Sequence, residues 1–294
     1  MYDVIIIGKG PAGISASLYT LRANLKTLII AKGDSSLMKA QKIENYYGFE
    51  EPISGRELLE SGVKQALRLG AEIVEDEVVS IEKEDLFKVT ASNGVYTAKA
   101  VLLATGQVQK KLNIVNIDKF EGKGVSYCST CDGFFYRKLK VGVLGNKDFA
   151  AHEALELENF TDKITIYTNG MELDMTPVFS EKISKFTVNK KLIAKVDGEE
   201  FLEKIYFSDG TSEAVDGLFI ANERATGSDF ARKLGVITED GFIVVDKDQK
   251  TNIEGLFAAG DCVGGFKQIS VAVGEGAKAG RSIIDYVRNH KLHT

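Results

Sequence analysis

Short, unbroken apolar runs recur along the chain, and most end in a glycine or a small residue. Val4-Ile5-Ile6-Ile7, Leu28-Ile29-Ile30, Val101-Leu102-Leu103, Val141-Gly142-Val143-Leu144 and Ile164-Thr165-Ile166-Tyr167 are the clearest. Runs of this length without polar alternation predict strands covered on both faces, as in a parallel sheet. Between them the apolar positions take up helical spacing, in Ile14 to Tyr19, in Ala150 to Leu155, and from Gln268 to about Asn289. Strands alternating with helices in this way predict an α/β protein.

Two strand-to-helix junctions carry glycine. In the first, Gly8-Lys9-Gly10-Pro11-Ala12-Gly13 follows the opening strand directly. Gly8 permits the tight turn, Gly10 lets backbone amides approach a pyrophosphate, and Gly13 lets the helix pack close to the strand. The helix N-terminus adds partial positive charge for the phosphates. An acidic ribose ligand usually ends the second strand, but here Ile30 runs into Ala31-Lys32, so the ribose needs another hold.

The second junction reads Gly145-Asn146-Lys147-Asp148-Phe149 and keeps only the first glycine. Lys147 stands where a glycine would let the backbone touch a pyrophosphate. The next strand is followed by Thr168-Asn169-Gly170-Met171-Glu172, and no arginine occurs from residue 138 to 223. A nicotinamide dinucleotide therefore finds neither the bidentate clamp for a 2′-phosphate nor an acidic ribose ligand at the strand end. Phe219-Ile220-Ala221-Asn222-Glu223 likewise lacks a glycine after its strand. Only the first junction is expected to hold a nucleotide, with the second half serving as scaffold.

Between the junctions lies Cys128-Ser129-Thr130-Cys131-Asp132. This spacing lets two sulfurs close a small disulfide and favours a reactive thiolate near neutral pH. Three cysteines in 294 residues are too few for a secreted disulfide framework. Zinc would need further ligands from Cys262 and three histidines (His152, His290, His293) that lack ligand-like spacing. Asp132 is a candidate acid beside a leaving thiolate, and equally a turn residue in Asp-Gly. Cys262 is expected to be a small buried residue.

Two later segments fit a flavin dinucleotide at the first junction. One strand ends in Ala104-Thr105-Gly106 and another in Gly260-Asp261, whose carboxylate suits a ribityl hydroxyl. The long helix opening at Gln268-Ile269 directs its N-terminal dipole at charge on a reduced ring.

The chain resembles the low-molecular-weight thioredoxin reductases over nearly its whole length. The resemblance is carried by Gly8 to Gly13, Ile43-Glu44-Asn45 with Gly48, Ala104 to Gly106, Cys128 to Phe135, Gly260-Asp261 and Gln268-Ile269. It implies two nucleotide-binding-type (Rossmann-like) domains, the second inserted in the first: a discontinuous FAD domain of residues 1–110 and 242–294, and a dithiol insert of 111–241. It implies catalytic roles for Cys128, Cys131 and Asp132. Cofactor contacts are implied at Gly8, Gly10, Pro11, Ala12, Gly13, Asn45, Val79, Ala104, Thr105, Gly106, Gly260, Asp261, Gln268 and Ile269, with thioredoxin as partner and a homodimer as assembly. Ser35-Ser36-Leu37-Met38 departs from the Gly-Gly-Gln common near the flavin in that family.

A flavin and dithiol without a nicotinamide site resemble the ferredoxin-dependent flavin thioredoxin reductases, which implies ferredoxin as donor and no NADPH. Lys110, Lys111, Arg137, Lys138, Lys140 and Lys147 form a charge run that is either a docking face for an acidic donor or a solvated surface. Three other readings stay open: an NAD(P)H-dependent reductase with an atypical site, another protein donor such as flavodoxin, and a redox sensor that does not turn over. The net charge of −5 argues against nucleic acid. No window of some 18 apolar residues predicts a membrane span, and the N-terminus lacks a signal-peptide pattern, so a cytoplasmic location without membrane attachment is expected.

Overall fold

The computed structural model describes residues 1–33, 35–106, 112–222 and 227–290. The chain divides into two compact units: Met1–Val108 with Thr226–Thr294, and Gln109–Ala225.

Elements are numbered in chain order. The first unit opens with β1 (Tyr2–Ile7), α1 (Pro11–Arg22), β2 (Thr27–Ala31), α2 (Gly55–Arg68), β3 (Glu72–Glu75), β4 (Val78–Lys83), β5 (Phe87–Ala91) and β6 (Gly94–Leu103). The inserted unit contains β7 (Val125–Ser126), α3 (Ser129–Asp132), β8 (Val141–Leu144), α4 (Asp148–Leu157), β9 (Ile164–Tyr167), α5 (Pro177–Lys182) and β10 (Thr187–Asn189). It closes with β11 (Ile193–Asp197), β12 (Lys204–Phe207), β13 (Ser212–Ala214) and β14 (Gly217–Ile220). The chain then returns through α6 (Gly227–Leu234), β15 (Thr238–Glu239), β16 (Phe242–Ile243), β17 (Leu256–Ala258) and α7 (Ile269–Asn289).

The apolar runs lie where two-faced burial predicts. Val4 to Ile6, Leu28 to Ile30 and Val101 to Leu103 have no solvent exposure. β3, β2, β1 and β6 are parallel neighbours; β5 pairs antiparallel with the first half of β6, and β4 antiparallel with β5. β17 pairs with the second half of β6 on the same side. Register aligns Ile7 and Ala258 with Leu103, so β1, β6 and β17 end together. Small residues set the approach of the two long helices over the sheet: a Cβ at Gly276 would lie 2.2 Å from the Ala12 carbonyl oxygen.

The second unit has an all-parallel sheet, β10-β9-β8-β14-β7, beside an antiparallel sheet of β11, β12 and β13. Tyr167, Phe120, Ile205 and Leu218 are in its core. Both units therefore present loops at the carboxyl ends of parallel strands, where α/β proteins bind ligands. The first unit resumes at residue 226, ahead of the expected 242. The physical reason is α6, which holds Phe230 buried and donates the Gly227 N–H to Thr105 Oγ1 at 2.9 Å.

Candidate functional site

At the first junction each glycine has a distinct spatial role. Gly8 has φ +113°, and a Cβ there would sit 2.2 Å from the Ala104 carbonyl oxygen. A Cβ at Gly13 would sit 2.0 Å from the Gly8 carbonyl oxygen, so α1 rests directly on the turn. Gly10 is different, because a Cβ there would meet nothing closer than Ser35 Oγ at 3.7 Å. Its openness keeps the backbone bare. Gly10 caps α1 without a side-chain hydrogen bond, Pro11 occupies the first helical position, and the first turn has no acidic residue. The Ala12 and Gly13 N–H groups thus have no intrahelical acceptor. Such a bare helix start suits an anionic group such as a pyrophosphate.

Several other first-unit positions lie at that end of the sheet. Ala104 N–H bonds the Ile7 carbonyl, and Ala259 N–H bonds the Leu103 carbonyl. That brings Ala104-Thr105-Gly106 and Gly260-Asp261 beside Gly8. A Cβ at Gly260 would contact Ala12 Cβ at 3.0 Å, and Gly260 N–H donates to Glu275 Oε2 at 2.8 Å. Burial raises the Glu275 carboxyl above its ordinary range, with Asp261 adding in the same direction. Asn45 Nδ2 donates to Gln268 Oε1 at 2.8 Å, joining two segments far apart in sequence, and Gln268 is the N-cap of α7. Val79 is fully buried in β4. Pro11 and Ile269 also line an open apolar cleft of about 350 Å³, with Ile14, Tyr46, Tyr47 and Leu58. In place of the family's Gly-Gly-Gln, Ser35 caps a short turn of 3₁₀ helix, Ser36–Lys39.

Near the end of β2, where the sequence has no acid, a carboxylate from the end of β3 approaches. Glu75 Oε1 accepts the Gly33 N–H at 2.8 Å and Glu75 also pairs with Lys9, while Lys32 pairs with Glu77 at 3.1 Å. No local motif announces this. It emerges only from the pairing of Ala31 with Glu75. Cys262 is buried and its thiol donates to the Leu103 and Ala259 carbonyls; burial pushes its pKa up to about 12, which leaves no reactive thiolate.

In the second unit Cys128 and Cys131 form a disulfide. Cys128 is buried and Cys131 exposed. The turn is fixed by its own hydrogen bonds. Cys131 N–H points at Cys128 Sγ (3.1 Å), and Cys128 N–H donates to Ser126 Oγ (3.1 Å). Ser126 Oγ donates to Asp132 Oδ2 (2.7 Å), and Asp132 N–H returns to the Cys128 carbonyl (3.1 Å). Asp132 is thus tied to the dithiol through one hydroxyl. Sequence reasoning missed Glu153 of α4, which is 2% exposed and accepts the Ser129 N–H at 3.1 Å. Phe134 and Phe135, directly after the dithiol, are 58% and 72% exposed.

The second junction is closed by the chain itself. Gly145 is required by packing, since a Cβ would lie 2.2 Å from the Ala221 carbonyl oxygen. Lys147 caps α4, and Asp148 opens that helix fully buried, its Oδ1 accepting the Thr176 N–H at 2.7 Å. Asn146 Nδ2 donates to the Glu172 carbonyl, and Asp174 N–H to the Asn146 carbonyl, both at 2.8 Å. Segment 172–176 therefore runs along 146–148, and a carboxylate stands at the helix turn where a phosphate would bind. Thr168 is buried, and Lys190 and Lys191 pair with Glu172 and Asp209.

In the basic run, Lys140 pairs with Glu213 at 2.8 Å, Arg137 stacks over Phe134, and the Lys138 carbonyl accepts from Lys163. Lys110, Lys111 and Glu223 lie outside the described residues.

The chain belongs to the pyridine nucleotide-disulphide oxidoreductase family, whose model matches residues 2–276. Within it the similar proteins are thioredoxin reductases. One from Treponema pallidum (strain Nichols) is 39% identical over 305 residues, covering 97% of each chain. Among solved structures, the atypical thioredoxin reductase TRi from Desulfovibrio vulgaris Hildenborough shares 44% identity at a TM-score of 0.96, over 99% of this chain and 100% of that one. A ferredoxin-flavin thioredoxin reductase from Clostridium acetobutylicum shares 30% identity at a TM-score of 0.72, over 98% of each. The fold is the two-domain Rossmann-like fold of those enzymes, and the protein is a flavoprotein disulfide reductase with FAD as cofactor. The bare cradle at Gly8 to Gly13 suits the FAD pyrophosphate. Among the described residues no helix is long and apolar enough to cross a membrane.

Proposed function

We propose that this protein reduces the disulfide of thioredoxin with electrons from reduced ferredoxin, by way of FAD in the first unit and Cys128–Cys131 in the second, without NADPH or NADH. The observation that carries this reading is the self-closed second junction, with buried Asp148 at the first turn of α4 and segment 172–176 bonded along it. A dinucleotide would have to displace these bonds and meet a carboxylate where its phosphates need donors. The solved ferredoxin-flavin reductase of the same family supports ferredoxin as the donor.

Bound FAD accepts electrons singly and passes them in pairs. Two ferredoxins then supply one disulfide reduction, with two protons taken up from solvent. Residues Gly8 to Gly13 would hold the FAD pyrophosphate and Asp261 would accept from the ribityl hydroxyls, while Asn45 with Gln268 borders the start of α7. Ser126 and Asp132 hold the dithiol turn, and Asp132, two hydrogen bonds away from the Cys128 N–H, is the acid that would protonate a departing sulfur. Thiol–disulfide exchange needs a thiolate and a resolving sulfur, which the Cys128–Cys131 pair provides. The exposed rings of Phe134 and Phe135 offer an apolar contact for thioredoxin beside the exchanging sulfurs.

The protein works as a cytoplasmic homodimer in this reading, the apolar cleft between α1 and α2 being the face a second copy would cover. A monomer by sedimentation would remove that part. The test of function is anaerobic thioredoxin reduction with each donor supplied in turn. Turnover with reduced ferredoxin and none with NADPH or NADH is expected. Efficient NADPH turnover would return the protein to nicotinamide-dependent chemistry, and flavin reduction without thioredoxin turnover would make it a sensor.

A further inference from the structure

Two carboxylates hold the dithiol turn, one at each end. Asp132 belongs to the motif. Glu153 does not: it lies 24 residues further on, in α4. It is 2% exposed, and its Oε2 accepts the backbone N–H of Ser129, next to Cys128. Ser129 is itself fully buried, so no water replaces this acceptor from bulk solvent. On the far side of the carboxylate, His152 Nδ1 is 3.7 Å from Glu153 Oε1, and its Nε2 is 3.9 Å from Glu156.

We propose that Glu153 is a positioning residue for the dithiol: its buried carboxylate pins Ser129 so that Cys131 N–H bears on Cys128 Sγ, and its charge sets how readily that sulfur becomes a thiolate. The proposal rests on the disulfide-reductase reading, but its deciding readout, the alkylation midpoint of Cys128, needs neither thioredoxin nor ferredoxin.

On reduction the disulfide gains two electrons and two protons. Loss of one proton then gives the thiolate that enters exchange. The Cys131 N–H favours negative charge on Cys128 sulfur, whereas a buried carboxylate one residue away disfavours it. Glu153 thus holds the geometry of the turn and restrains its acidity. The other ionisable groups around the turn are His152 and Glu156 on α4, Asp132 on α3, and Tyr136 just beyond. The strands under α4 offer no charge, and the one buried side chain of α5 is Phe179.

Two variants separate geometry from charge. Glu153→Gln keeps an oxygen for Ser129 N–H and loses the charge. Glu153→Ala loses both. The holoprotein is reduced with a phosphine, and the alkylation rate of each cysteine by iodoacetamide is followed against pH, resolved by mass spectrometry. Glu153→Gln is expected to lower the alkylation midpoint of Cys128 by about one pH unit, the smaller end of what one neighbouring charge does. Glu153→Ala, leaving a buried N–H unpaired, is expected also to slow turnover by about tenfold at every pH. A Cys128 midpoint in Glu153→Gln equal to the parent's would overturn the proposal, and that variant decides the matter if Glu153→Ala does not fold.

Discussion

Gly13→Ala is the sharpest structural perturbation of the first junction. The backbone there is ordinary helix, so nothing forbids alanine by conformation. The obstacle is space. The new Cβ would sit 2.0 Å from the Gly8 carbonyl oxygen and 3.1 Å from Ile6 Cγ2. Restoring an ordinary carbon–oxygen contact requires α1 to retreat by more than about 1 Å, since contacts of this kind settle near 3.5 Å. Overpacking costs about 1–3 kcal/mol in fold stability. The retreat also withdraws the Ala12 and Gly13 N–H groups from the pyrophosphate. Two charge-assisted hydrogen bonds at about 1.5–3 kcal/mol each amount to about a hundred- to ten-thousandfold in FAD affinity. Gly10→Ala is the matched control, because its Cβ meets nothing in the protein within 3.7 Å. The assay is twofold: melting of the apoprotein, and FAD affinity by quenching of flavin fluorescence. Gly13→Ala should lower both. Gly10→Ala should leave apoprotein melting unchanged while weakening FAD. If Gly13→Ala retains apoprotein melting and FAD affinity within experimental error of the parent, the packing argument is wrong.

Serine at Cys128 or at Cys131 should abolish thioredoxin turnover while FAD stays bound, as seen in the visible spectrum, whereas Cys262→Ser should stay active because its hydroxyl can still donate to Leu103 and Ala259. Glu275 gives a pH signature. Its folded-state pKa lies above the ordinary value of 4.5, so its ionisation destabilises the fold once pH rises past that value. Glu275→Gln apoprotein should therefore melt higher than the parent at pH 8, the two curves converging near pH 4, and a gap independent of pH would contradict the burial argument.

The strands were the most legible part of the sequence, because two-faced burial leaves an unbroken apolar run that needs no partner to be recognised. β1 and β8 show this directly. The junction glycines were legible for a related reason: Gly8 and Gly13 answer to atoms within a few residues or on the next strand. Gly145 shows where motif logic stops. It reads as a nucleotide glycine, yet its contact with the Ala221 carbonyl requires glycine whatever binds there. Long-range substitutions were invisible. Glu75 reaches the end of β2 from a neighbouring strand, and Glu153 reaches the dithiol from a helix, each by a register no local pattern encodes. The same holds for segment 172–176. Its polar sequence reads as loop, and its role along residues 146–148 exists only once β8 and β9 are paired. The return to the first unit came earlier than expected because α6 is anchored by a backbone bond to Thr105, which composition cannot signal.

The central claim is that electrons reach the flavin from a protein and not from a nicotinamide. Anaerobic titration of the oxidised holoprotein, followed by flavin absorbance, tests it without a thioredoxin partner. The account predicts that millimolar NADPH or NADH leaves the flavin oxidised, and that stoichiometric reduced ferredoxin bleaches it within the mixing time of a manual experiment. Rapid bleaching by micromolar NADPH, or no response to ferredoxin, would contradict it.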